Sequence, residues 1–281
     1  MSSYAEKRET VNRIFDGFFK WIFRWFSAGV IETGTLTRFG ASGFKKFFDK
    51  PLRFSELILQ MEFVGNESVI IIMLSGVFTG MALSYQIYLG FQHVNASSLV
   101  GPTVALGIFR ELGPVLTGLI VSARAGGAMA ARIGSMRVTE QIDALEVMGV
   151  DPIQYLVSPR LYASVIVMPL LTAVFDFVAM IGCWLICIQL LGMDEAQFWD
   201  RIAGFIAPYH IYEGLFKAAV FGMFFSVICT HRGYTTEGGA SGVGNSTNRG
   251  VVLSMVMIII LDFFLTNLIS LFYAWKALLH K

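Results

Sequence analysis

Residues Phe109 to Arg160 read FRELGPVLTGLIVSARAGGAMAARIGSMRVTEQIDALEVMGVDPIQYLVSPR. The stretch opens with Arg110 and Glu111 inside an apolar run, followed at once by the helix-disturbing pair Gly113-Pro114. It passes through small residues and leaves into a polar, acidic segment. A long apolar run belongs in a bilayer and the acidic segment belongs in water, so this stretch holds both a membrane span and its exit.

The exit reads as a short amphipathic helix. Thr139 suits its N-cap, Glu140 and Gln141 suit its first turn, and Gly149 before Asp151-Pro152 supplies a stop. At 100° per residue, Val138, Ile142, Leu145 and Gly149 share one face, while Glu140, Asp143 and Glu146 fall on the opposite one. Helices that lie on lipid favour Lys and Arg on the polar face, because cytoplasmic headgroups are anionic. An acidic face points instead to a basic protein partner.

Composition bounds the rest. The 281 residues are 55% hydrophobic and only 15% charged, where a soluble domain carries about 25% charged residues. With a mean hydropathy of +0.65, this is an all-α integral membrane protein. The net charge of +1 hides an asymmetry, since nearly half of the 21 Lys and Arg precede Glu67, and that distribution excludes nucleic acid as a partner. Apolar runs near span length predict five transmembrane helices, at Ser68 to Phe91, Leu99 to Arg124, Leu161 to Leu191, Leu215 to His231 and Val251 to Trp275.

Residues 1–65 read as a separate N-terminal segment, cytoplasmic or interfacial, ahead of a transmembrane domain at 66–281. In Met1 to Gly29, aromatic and aliphatic residues recur at helical spacing beside Arg13, Lys20 and Arg24, an interfacial pattern without a cleavable signal. Glu32 to Gly43 reads as a connector, and Pro51 to Phe63 as an in-plane elbow helix too charged to span. The basic N-terminal segment and Arg132, Arg137 and Arg160 place the N-terminus and the acidic helix in the cytoplasm.

Ionisable groups inside the spans are the functional signal. Arg110, Glu111 and Asp262 stand deep in theirs, and Asp176 and Lys217 add two more. Such groups are costly, roughly 2.5–3.5 kcal/mol each on insertion scales, and mark a function or an internal lock. Pro114 frees a backbone carbonyl that Arg110 is placed to satisfy, whereas Glu111 points about 100° away and needs another environment. Gly76 and Gly80 form a G-x-x-x-G, and Ala123, Gly127 and Ala131 repeat at the same interval, a pattern of close helix packing within or between chains.

Catalytic patterns are missing. Cys183, Cys187 and Cys229 lack His or carboxylate neighbours and read as packing residues, so no metal site is expected. The segment Arg232 to Arg249 contains GGASGVG without the phosphate-loop spacing, and reads as a flexible cytoplasmic loop. No Walker motif occurs, so ATP, if used, is bound by another subunit and the chain itself carries no cofactor.

The run RELGP to SPR (Arg110 to Arg160), with GVFTGMALSYQ (Gly76 to Gln86) and RGYTTEGGASGVGNSTNRGVV (Arg232 to Val252), resembles the signature of MlaE/YrbE-type permeases. These are the membrane subunits of ABC transporters that work with MCE-domain proteins on lipids. The resemblance covers most of the chain beyond Pro51. It implies an ABC ATPase partner, an MCE-domain substrate-binding partner, a phospholipid or similar substrate, an inner-membrane location and a homodimer with RELGP at its substrate cavity. The lipid path is then expected at Arg110, Glu111, Lys217 and Asp262, and the ATPase-coupling helix at Glu140, Asp143, Leu145 and Glu146. The alternatives are an ion-coupled secondary transporter with Glu111, Asp176 and Asp262 as a relay, and a membrane scaffold that does not transport.

Overall fold

The computed structural model describes residues 29–51, 53–94 and 96–279, so the interfacial pattern of Met1 to Gly29 lies almost wholly outside the described residues. Among the described residues eight helices carry the fold. They are α1 (29–46), α2 (Phe54–Gln92), α3 (Ser97–Val138), α4 (Gln141–Val147), α5 (Ile153–Leu190), α6 (Glu195–Phe205), α7 (Pro208–Tyr234) and α8 (Gly239–Leu279). Five of them, α2, α3, α5, α7 and α8, are long and apolar enough to cross a membrane. Among the described residues there is no strand.

The chain divides at Ser42 into a short N-terminal unit and a body from Gly43 onward. The expected connector Glu32 to Gly43 is helical instead. Its threonines do not break the helix, because Thr33 and Thr37 turn their hydroxyls back to the carbonyls four residues earlier, at 2.7 and 2.8 Å. The expected elbow at Pro51 to Phe63 is likewise no separate element. Pro51 precedes the helix, and α2 runs unbroken from Phe54 through the first span, so the proposed boundary at residue 65 falls inside it. Glu62 and Glu67 are tolerated because this end of α2 extends past the apolar run, and Glu67 pairs with Arg124 at 2.6 Å.

In the body, α5 lies between α2 and α7, and Phe175, Met168, Phe221, Phe225 and Ile72 fill the space between them. The contact between α2 and α5 depends on small residues. A Cβ at Gly76 would sit 3.0 Å from the Phe175 carbonyl oxygen, and one at Gly80 would overlap the Ala179 backbone. Gly182 makes the reciprocal approach to Val77. A Cβ at Gly127 would sit 3.2 Å from a methyl carbon of Val251 of α8.

Two further segments outside the expected spans are helical. Gly192 to Pro208 contains α6, whose N-cap Asp194 accepts a 2.7 Å hydrogen bond from the Gln197 amide. Its Phe198 and Ile202, one turn apart, close over Gly101 at the start of α3. Arg232 to Arg249 is not a flexible loop, because α7 continues to Tyr234 and α8 begins at Gly239. The turn between them is confined to residues 235–238, where Gly238 at φ +88° adopts a conformation side chains resist.

The acidic helix α4 is shorter than expected. Thr139 bonds back to the Ser135 carbonyl at 2.9 Å and does not cap it; Glu140, at φ +58°, turns the chain instead. Gly149 ends it at φ +74°, as its position suggested. Asp151 then accepts the Ile153 amide at 2.9 Å, opening α5, and pairs with Lys46. Burial pushes the Asp151 carboxyl up, but the Lys46 ammonium and the Gln154 and Ile153 amides outweigh it and hold the group below the usual carboxylate range.

Candidate functional site

A wide π turn, Ile108–Leu112, interrupts α3 at the Arg110-Glu111 pair. Its cause lies four residues on. Pro114 has no N–H to offer the Arg110 carbonyl, so that oxygen is freed from the helix. The sequence assigned it to the Arg110 side chain; in the structure Lys217 of α7 donates to it at 2.8 Å. The Arg110 guanidinium turns instead to Glu213, with a 3.0 Å hydrogen bond to Oε1 and Nε 3.0 Å from Oε2.

Lys217 collects the other charges. Its ammonium donates to Glu111 at 3.0 Å, to Asp262 of α8 at 3.2 Å and to Thr266 at 2.7 Å. The Lys217 side chain is 0% exposed, so these groups replace its water completely. Thr266 bridges back, lying 3.3 Å from both Glu111 oxygens. The adjacent Arg110 and Glu111, with Lys217 and Asp262 from two distant stretches of sequence, thus form one cluster tying α3, α7 and α8 together.

Close approach of backbones makes the cluster possible. A Cβ on Gly214, between Glu213 and Lys217, would overlap the Phe109 carbonyl oxygen, so only glycine lets α7 press its two charged residues against the π turn. Asp176 is not part of the cluster. It is buried on α5 against Gly113, and none of the cluster's hydrogen bonds reaches it.

Two residues of the site escaped the sequence reading. Glu213 fell just before the expected fourth span at Leu215, yet α7 starts at Pro208 and buries that side chain completely. The signal was its spacing, one helical turn ahead of Lys217. Thr266 is uncharged and gave no signal.

The charges are unequally enclosed. Glu213 and Lys217 are fully buried, whereas 39% of the Glu111 side chain is exposed. Glu111 sits 14 residues into α3, roughly 20 Å along the helix, well inside a bilayer core of about 30 Å. The result is a fixed cation with an exposed carboxylate at its edge, held among apolar helices.

On α4, Ile142 is buried and Leu145 half-buried, while Glu140 and Glu146 face outward. Asp143 pairs with Arg137 at 2.6 Å, so part of the acidic face is neutralised within the chain. Beside it Val147 and Met148 are 88% and 68% exposed, an apolar element that the sequence did not single out.

Five helices long and apolar enough to cross a membrane, three of them tied by an internal ion cluster, define a multi-pass membrane protein. The chain belongs to the MlaE permease family, whose model matches residues 57–268. It is 37% identical over 234 residues to the intermembrane phospholipid transport system permease protein MlaE of Haemophilus influenzae, covering 81% of this chain and 90% of that protein. A probable ABC transporter permease of Rickettsia conorii is also 37% identical, over 84% of this chain and 92% of its own length. The chloroplastic TRIGALACTOSYLDIACYLGLYCEROL 1 protein of Arabidopsis thaliana is 39% identical over 74% of this chain and 59% of its own.

Proposed function

We propose that this chain is the membrane subunit of an ABC transporter that moves phospholipid, or a similarly amphiphilic lipid, between the cytoplasmic membrane and an MCE-domain partner. Its energy comes from a separate ATPase. The observation that carries the reading is the cluster around Lys217, which leaves Glu111 exposed among apolar helices, in a chain of the MlaE family. A lipid path needs apolar walls with a few polar groups for the headgroup, and the Glu111 edge supplies both. A homodimer fits the open groove of about 530 Å³ lined by Ala123, Gly127, Ala131 and Thr247, whose small side chains admit a close neighbour.

The ATPase docks on α4, through Glu140, Glu146 and the exposed Val147 and Met148. Reversing Glu140, Asp143 and Glu146 to Lys is expected to abolish transport and ATPase co-purification while membrane insertion is unchanged. A triple variant that still co-purifies its ATPase and transports at the normal rate would return α4 to the lipid surface.

Orientation places the N-terminus and α4 in the cytoplasm, with α6 outside. Single cysteines at Ser97 or Glu195, in a chain stripped of Cys183, Cys187 and Cys229, are expected to react with an impermeant maleimide in intact cells. A cysteine at Asp151 is expected to react only after lysis. The reverse pattern overturns the orientation.

A further inference from the structure

A cavity of about 330 Å³ lies where the start of α2, the end of α3 and the start of α5 meet, far along the helices from the Lys217 cluster. Its walls are apolar in part, from Leu59, Phe63, Met136 and Leu156. Two guanidinium groups, Arg132 and Arg160, line it, with Glu56 as the single carboxylate among its lining residues.

The charges there are not balanced from within. Arg160 is only 5% exposed, and its side chain has one hydrogen bond, from a terminal nitrogen to the Leu156 carbonyl, leaving Nε without a partner. Gln60, also buried, has no partner for its amide oxygen. Arg132 lies over the Phe63 ring at 5.5 Å and Arg53 over the neighbouring Tyr155 ring at 4.6 Å. Among the described residues neither these arginines nor Arg160 makes a salt bridge, and Glu56 makes none either. The contrast is Arg124, which also lies over Phe63, at 5.1 Å, but is neutralised by Glu67.

A buried, unneutralised guanidinium costs several kcal/mol unless something else compensates it. Guanidinium forks match phosphate oxygens in geometry, and basic pockets between spans at the cytoplasmic face suit anionic headgroups. We propose that this cavity is a second site on the molecule that binds a phosphate-bearing anion through Arg132 and Arg160, with the apolar wall of Leu59, Phe63 and Met136 taking the chain of a lipid that carries it. The site is separate from the path at Glu111 and does not depend on the transport reading.

The test uses the full-length protein, delipidated in an uncharged detergent, titrated by calorimetry with short-chain phosphatidylglycerol, with inorganic phosphate and with the matching uncharged diacylglycerol. Saturable binding of phosphatidylglycerol is expected, weakened at least tenfold by Arg132→Ala, a change at an exposed position that leaves the core intact. Arg160→Lys, which keeps the buried charge and removes the fork, is expected to weaken it as well. If inorganic phosphate binds as tightly and competes, the source is the free anion and the site stands. Diacylglycerol binding as tightly as phosphatidylglycerol, no saturable binding of any probe, or binding indifferent to Arg132→Ala each overturns it.

Discussion

Lys217→Met is expected to destabilise the protein by about 3–5 kcal/mol, the usual cost of removing one partner from a buried ion pair. The reason is that Lys217 is fully enclosed and holds two carboxylates at 3.0 and 3.2 Å, the Arg110 carbonyl at 2.8 Å and the Thr266 hydroxyl at 2.7 Å. Met fills the space of the stem but leaves Glu111 and Asp262 facing each other without a cation and the carbonyl at the π turn without a donor. Both carboxylates are partly exposed, so the lower end of the range is expected. The checks are the yield of monodisperse protein and the thermal unfolding temperature in detergent. Adding Asp262→Asn should recover part of the loss, because it removes one of the two stranded charges. Full yield with an unchanged unfolding temperature in the single variant would show that the cluster does not hold the three helices together.

That lock explains where the sequence was legible and where it was not. Hydropathy located the five spans because each contains a long apolar run, and the charges inside them stood out against it. Partner choice was not legible, since it depends on how α7 is rotated and how closely it approaches α3. Gly214 sets that approach, and it delivers Lys217, not Arg110, to the carbonyl that Pro114 frees. Helix ends were also hidden. The apolar run begins near Leu215 while α7 begins at Pro208, so Glu213 fell outside the expected span when it is in fact buried. Likewise the glycines of Arg232 to Arg249 read as a loop from local propensity, but α8 passes through most of them, and tertiary packing overrode a preference worth about 1 kcal/mol per glycine. The short helix α6 rested on Asp194, Phe198 and Ile202, whose spacing was present but sat between two expected spans.

Glu111 separates a lock from a path, and the two make different demands on it. As a lock, its carboxylate matters because it compensates Lys217; as part of a path, it matters because 39% of its side chain is open to whatever moves past. Asp262 can carry the first role alone, since it also reaches Lys217, at 3.2 Å. Glu111→Leu is therefore expected to insert and to assemble with the ATPase, yet to lose transport by at least tenfold and to retain less co-purified lipid. Glu111→Gln keeps volume and hydrogen bonding at the same edge while removing the charge, so it reads the charge separately from the shape. Transport that survives in the Gln variant and fails in the Leu variant would assign the role to a polar edge that the headgroup can hydrogen-bond, whereas failure of both would assign it to the charge. Lipid-transfer rates between donor and acceptor vesicles, measured beside the amount of assembled complex, distinguish these outcomes. A Leu variant that transports normally removes Glu111 from the path, and one that fails to assemble at all shows that Asp262 does not suffice and that the carboxylate belongs to the lock.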